Sequence, residues 1–168
     1  MPQPDEFNSV TNAPTGRSSL LAMHKTQPGK DPMKFVSTRL VTENVASLAR
    51  FYRKVTGIKP VGNENYVEIE TAGGTLSICS KESVNLFNAA AARPRANQSA
   101  IIEFEVNDVN RERSRLGKIV GSFVMEPTNQ PWGNRSMLFR DPDGNLINVF
   151  ARIQPVPKQS SNGGNDRE

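Results

Sequence analysis

Near its C-terminal end the chain reads Pro131-Trp132-Gly133-Asn134-Arg135 and then Arg140-Asp141-Pro142-Asp143-Gly144-Asn145-Leu146-Ile147-Asn148-Val149-Phe150. Residues 136–139 and 146–150 have the composition of strands. Between them Asp141-Pro142-Asp143-Gly144 predicts a chain reversal, because Pro fixes one φ and Gly accepts a positive one. The segment is therefore a β-hairpin entered through a Trp-Gly-x-Arg step.

Working back from the hairpin, a second copy of the same order of elements emerges. Residues 35–42 and 100–106 are each strand-like. Asn44-Val45 and Asp108-Val109 follow them, and the spacing from Asn44 to Asp108 equals that from Gly57 to Gly121. In each half an Asn or Asp able to cap a helix opens a helical stretch that runs toward a Gly. The helices are predicted over 45–56 and 109–119. Leu48, Phe51, Tyr52 and Val55 form an apolar stripe at spacings of three and four, suited to packing on a sheet. Residues 66–71, Gly73-Gly74 and 75–79 make the earlier hairpin. The linker 81–99 joins the halves, with Leu86 and Phe87 placed to anchor a helical turn. The predicted fold is α+β: two βαβββ modules, about 35–80 and 99–152, with sheets enclosing a cleft and helices on the outer faces.

Residues 1–33 and 153–168 are rich in Pro, Asn, Ser, Thr, Gln and Gly, and are expected to be a disordered extension and tail around a domain over 34–152. With 36% apolar residues the chain has enough for one core. The formal charge of +4 comes from bases scattered on predicted helices without aromatic interleaving, so no nucleic-acid partner is expected. Cys79 is the single cysteine: it forms no intramolecular disulfide, offers no thiolate metal cage and fits a reducing, cytoplasmic setting. Leu20-Leu21-Ala22-Met23 is too short for a signal-peptide core, and no membrane span is expected.

Alternation along the strands separates a helix-covered side from a cleft side. Ala100, Ile102, Phe104 and Val106 belong under the helix, leaving Ile101, Glu103 and Glu105 on the cleft side. The same division sends Ser37, Arg39 and Val41 to the cleft, with Ser77 and Cys79, and Asn148 with Leu146 and Phe150. Arg39 near Glu103 is expected to give a buried pair, with one cation and one anion facing a ligand as the alternative. Trp132, beside Gly133, is a stacking surface for a planar ligand or a packing residue. Arg135 is either a salt-bridge partner or a ligand clamp. No nucleophile with a base and no Gly-rich phosphate loop is present, and the one histidine, His24, lies in the N-terminal extension.

The Trp-Gly-x-Arg and Asp-Pro-Asp-Gly-Asn pair resembles the closing signature of the vicinal oxygen chelate superfamily, which includes glyoxalase I, extradiol dioxygenases and bleomycin resistance proteins. The resemblance covers most of residues 35–152 and implies the paired-module fold. It also implies metal-ligand positions at the first cleft residue of each leading strand and near the end of each last strand. Those positions are Ser37, Ile101, Ser77 and Asn148, and none supplies the anionic oxygen or imidazole that a divalent cation needs. The resemblance is closest in type to the metal-free bleomycin-resistance-like members. It implies a metal-independent binding protein for an antibiotic or aromatic metabolite, with no cofactor, a homodimeric state, and Arg39, Ser77, Glu103, Trp132, Asn148 and Phe150 as ligand-binding residues. The alternative is a glyoxalase-like lyase, isomerase or dioxygenase with a non-standard metal site, or with Glu103 as its general base.

Overall fold

In the computed structural model, residues 33–86, 89 and 91–153 are described. The predicted extension apart from Met33, the predicted tail apart from Ile153, and Phe87 lie outside them. The order is β1 (Ser37–Thr42), α1 (Val45–Thr56), β2 (Val61–Gly62), β3 (Tyr66–Thr71), β4 (Gly74–Ser80), α2 (Lys81–Asn85), β5 (Ile101–Glu105), α3 (Val109–Leu116), β6 (Phe123–Asn129), β7 (Asn134–Arg140) and β8 (Leu146–Arg152). Two four-stranded sheets result, in the orders β1-β4-β3-β2 and β5-β8-β7-β6. In each, the leading strand pairs parallel with the module's last strand and the rest is antiparallel. The α+β architecture of two βαβββ modules is thus the one predicted from the sequence. Among the described residues, no helix is long and apolar enough to cross a membrane.

The helices begin where their caps do. The Asn44 side chain accepts from Ser47 N–H at 2.9 Å, and Asp108 accepts from Asn110 and Arg111 N–H at 2.8 and 3.1 Å. Gly57, at φ 75°, closes α1 in the left-handed conformation that glycine adopts without strain. The second helix stops at Leu116 rather than at residue 119. Gly117 weakens propagation there, and Ile119 N–H takes the tighter bond back to Leu116 O at 2.8 Å. The second strand of the second module, β6, carries Pro127 and two register shifts against β7. A proline cannot donate to a ladder, so this strand belongs at a sheet edge.

Both modules belong to one compact unit beginning at Val36. Leu48, Tyr52 and Val55 of α1 share a single core with Ile69 and Ile78 of the first sheet and with Met137, Phe139, Ile147 and Leu116 of the second module. Phe51 meets Phe139 edge-on at 6.5 Å. The helix-bearing faces of the two sheets therefore pack toward each other. Within one chain the sheets do not close into a barrel, and their opposite faces stay open.

Two polar contacts lock this arrangement. The buried Asp141 carboxylate organises its own turn, accepting from Asp143 N–H (2.9 Å), Asn145 N–H (2.8 Å) and the Asn145 side-chain amide (2.7 Å). Its Oδ2 also accepts from the Tyr52 hydroxyl of α1 at 2.9 Å. Arg115 of α3 donates to the Lys54 and Val55 carbonyls at 2.7 and 2.6 Å, satisfying groups left unpaired at the C-terminal end of α1.

Burial, and next the Asp141 charge, push the Tyr52 phenol far above its ordinary range. Its neutral form is therefore the one the fold favours. Stability from this group is fully present below a pH of about 10, the unfolded value, and falls above it because the unfolded chain releases the proton first. Tyr52→Phe is expected to lower unfolding free energy by about 1–3 kcal/mol at neutral pH, by depriving the buried carboxylate of a donor. It should also flatten the alkaline loss of stability. Chemical denaturation of both proteins at neutral and alkaline pH measures this.

Candidate functional site

Each open sheet face carries a row of side chains set by strand register. In the first module Arg39 stands beside Ser77, and Ser77 beside Glu68, across β1, β4 and β3. In the second, Glu103 stands beside Asn148, and Asn148 beside Leu138, across β5, β8 and β7. The alternation read from sequence therefore places Arg39, Ser77, Glu103, Asn148 and Phe150 on the open faces.

The first row is closed on itself. Tyr66 Oη donates to Glu68 Oε1 at 2.5 Å and lies 3.0 Å from Ser77 Oγ, while the Arg39 guanidinium sits over the Tyr66 ring at 5.1 Å. Ser77 is fully buried beneath these groups. Cys79 is buried on the same strand, and burial pushes its thiol up, partly offset by the charge of Arg39.

The second row is open. The Asn148 amide nitrogen donates to Glu103 Oε1 at 2.7 Å, but its Oδ1 is buried with no hydrogen-bond partner. Ser136 Oγ, whose residue pairs with Phe150 in register, is likewise buried and unpartnered. Ile101 is 52% exposed at the leading edge, and Leu138, Leu146 and Phe150 are half-buried on the same face. Glu105 is engaged by Arg152 at 2.9 Å. This face combines apolar surface with two acceptors that lack donors, an arrangement that a ligand carrying N–H or O–H groups would satisfy.

Three expectations change in the folded chain. Arg39 and Glu103 do not pair: Arg39 covers Tyr66 and Glu103 accepts from Asn148, because the modules pack through their helix sides and turn these faces outward. Of the two readings of Trp132 the packing one falls away, since the side chain is 71% exposed at the β6–β7 turn. Arg135 is structural, donating to Asn110 Oδ1 at 3.2 and 2.9 Å and to Asn129 Oδ1 at 2.8 Å. Sequence reading missed Tyr66, which organises the first row, and Ser136. Tyr66 was visible as the start of a strand, but only cross-strand register brings it to Ser77.

The residues at the four metal positions that the resemblance implies do not fit a divalent cation. Ser77 is hydrogen-bonded under Tyr66, Ile101 has no donor atom, Asn148 offers one neutral amide oxygen, and Ser37 one hydroxyl. Among the described residues, no three His, Cys, Asp or Glu side chains converge. A cavity of about 440 Å³ lies elsewhere, at the seam between modules, lined by Val55, Ile58, Phe104, Arg115 and Leu116. None of the ligand-binding residues read from the sequence lines it.

The sequence matches the family described as the Glyoxalase/Bleomycin resistance protein/Dioxygenase superfamily over residues 34–149. No curated protein matches it. Among solved structures it is similar to a glyoxalase/bleomycin resistance protein/dioxygenase from Nocardioides, at 20% identity and a TM-score of 0.62, covering 77% of this chain and 91% of that one. A glyoxalase-related enzyme from Fulvimarina pelagi is similar at 18% identity and a TM-score of 0.62, covering 72% and 89%. A lactoylglutathione lyase from Agrobacterium tumefaciens is similar at 23% identity and a TM-score of 0.55, covering 73% and 96%. At these identities the likeness is one of fold.

Burial of Cys79 gives a direct check on the first row. In the native protein its thiol is expected to react with an aromatic disulfide reagent far more slowly than a free thiol, and at the free rate once denaturant unfolds the chain. Tyr66→Ala, which uncovers the row, should speed native-state labelling severalfold. Stopped-flow absorbance reads both.

Proposed function

Because the chain belongs to the glyoxalase/bleomycin resistance protein/dioxygenase superfamily, we propose that it is a metal-independent small-molecule binding protein, similar in type to the bleomycin resistance members. Its ligand lies on the open face of the second module. The observation that carries this reading is the buried, unpartnered Oδ1 of Asn148. An orphaned acceptor of that kind costs about 1–3 kcal/mol until a donor reaches it. Ser136 Oγ adds a second such atom, and Phe150, Leu138 and Ile101 supply the apolar floor. The ligand class that fits is a planar, largely apolar molecule with amine, amide or hydroxyl donors. A positive charge on it would be favoured by Glu103. Trp132, exposed in the turn before β7, supports the reading as a stacking surface available to such a ring.

The metal-independent part of the reading is supported by donor chemistry, since the family's ligand positions hold two serines, an isoleucine and an amide. The competing reading, a lyase, isomerase or dioxygenase with Glu103 as general base, draws on the Asn148–Glu103 hydrogen bond. It is the weaker, because Glu103 is exposed and among the described residues its hydrogen-bond partner is the neutral Asn148 amide, which supplies no charge to hold developing negative charge.

The test is a calorimetric and fluorescence screen of aromatic amines, amides and glycopeptide-type antibiotics, using Trp132, the single tryptophan, as reporter. For a ligand found this way, Asn148→Leu is expected to weaken binding about tenfold, and affinity should be unchanged by prior chelation. A stoichiometric metal retained after loading with Zn, Ni, Mn or Fe(II), or turnover lost in Glu103→Gln, would overturn the reading in favour of an enzyme. Unchanged affinity in Trp132→Ala would remove stacking from it.

A further inference from the structure

A second cavity, also of about 440 Å³, lies where the linker between the modules meets the β7–β8 hairpin. Arg95, Asn97 and Gln98 of the linker line it, with Arg140, Asp143 and Gly144 of the hairpin. None of these residues belongs to the ligand site proposed above. Asn97 ties the two segments together. Its side-chain amide donates to the Ala100 carbonyl and to Asn145 Oδ1, both at 3.1 Å, and its Oδ1 accepts from Ala100 N–H at 3.0 Å. Linker and turn are thereby held as one frame around the space.

Three features of that frame are left incomplete by the fold. The Asp143 side chain is only 9% exposed, yet its Oδ2 has no hydrogen-bond partner and its Oδ1 meets Arg95 Nε only at 3.5 Å, beyond a good hydrogen bond. A carboxylate so withdrawn from water is costly while its lone pairs stay unfilled. Asp141 shows the contrast, since donors from its own turn and from Tyr52 fill both of its oxygens. The two arginines are also underused. Arg140 donates to the Gly144 carbonyl at 2.7 Å, and among the described residues the rest of its fork is unpartnered, while Arg95 has only the long contact with Asp143. Finally, Arg95 stands at φ 58°, the one positive φ outside glycine among the described residues. Left-handed backbone of that kind in a long side chain is uncommon and clusters at ligand clamps.

We propose that this cavity binds an α-amino carboxylate, such as a free amino acid. The guanidinium forks of Arg95 and Arg140 take the carboxylate, to which their planar paired donors are matched. The ammonium gives Asp143 the charged donor that it lacks. Arg95 exchanges partners in the process: it leaves its long contact with Asp143 for the carboxylate of the ligand, and the ammonium takes its place. Both charges of the ligand are needed. An acid without the amino group would satisfy the arginines and leave Asp143 unpartnered, whereas an amine without the carboxylate would meet two cations and one anion. The proposal stands apart from the ligand reading of the open face, and either can fail without the other.

Calorimetric titration of the full chain with the common protein amino acids, one at a time, tests it. At least one is expected to bind with a dissociation constant of about 1 mM or lower. For that amino acid, the matching acid without the amino group and the matching primary amide should each bind about tenfold more weakly or worse. Arg95→Gln, at a side chain 70% exposed, and Asp143→Asn, which keeps the shape of the turn residue, should each weaken binding by a similar factor. Circular dichroism of both variants controls for folding. Absence of binding at about 10 mM would assign Arg95 and Asp143 to an ordinary ion pair that anchors the linker, and would overturn the proposal. Equal affinity for the acid without its amino group would overturn the role of Asp143 and with it the ligand class. Amino-acid binding that neither variant disturbs would place the ligand elsewhere and overturn the site.

Discussion

The hydrogen bond from Tyr52 to Asp141 is the constraint on which the architecture turns. A carboxylate buried at a hairpin turn is tolerable only when its lone pairs are filled, and Asp141 fills them with three donors from its own turn and one from a helix of the other module. That last donor fixes how the halves meet. Once Tyr52 must reach Asp141, α1 lies against the second sheet, Phe51 meets Phe139, and Arg115 is carried to the carbonyls that end α1. The helix sides are committed to each other, and the remaining sheet faces are left for other uses.

Those faces have diverged from a common plan. In the first module a tyrosine hydroxyl, a serine and a glutamate satisfy one another under an arginine. In the second, the equivalent row ends in a leucine, and an amide oxygen goes without a partner. The same strand geometry thus gives one face whose polar groups are internally satisfied and one that is chemically unfinished. The residues in the rows, not the fold, therefore carry the functional argument.

Much of this was legible in the sequence, for identifiable reasons. Alternation along β5 and β8 assigned Glu103 and Asn148 to one face because strand geometry has a period of two whatever else the chain does. Asn44 and Asp108 marked helix starts because capping is local. What could not be read was long-range. Asp141 looked like a turn residue and is one, but its partner lies 89 residues away, and no local pattern announces it. Likewise, nothing in the strand pattern says whether two sheets meet through their helices or across their open faces. The expected Arg39–Glu103 contact within one chain failed on that point. The edge strand β6 was obscured by Pro127, which weakens the strand signal where the strand is least regular.

The shared core also bears on how the chain acquires its structure. The first module, synthesised before the second, has no finished interior of its own. Tyr52 has neither its acceptor nor its full burial until residues near position 141 arrive, and Phe51 waits for Phe139. Contacts of such sequence separation close late and slowly. The two repeats, although each resembles a complete unit, are therefore halves of one cooperative folding event. A nascent chain stopped in the linker would present the apolar stripe of α1 to the solvent and to any chaperone within reach.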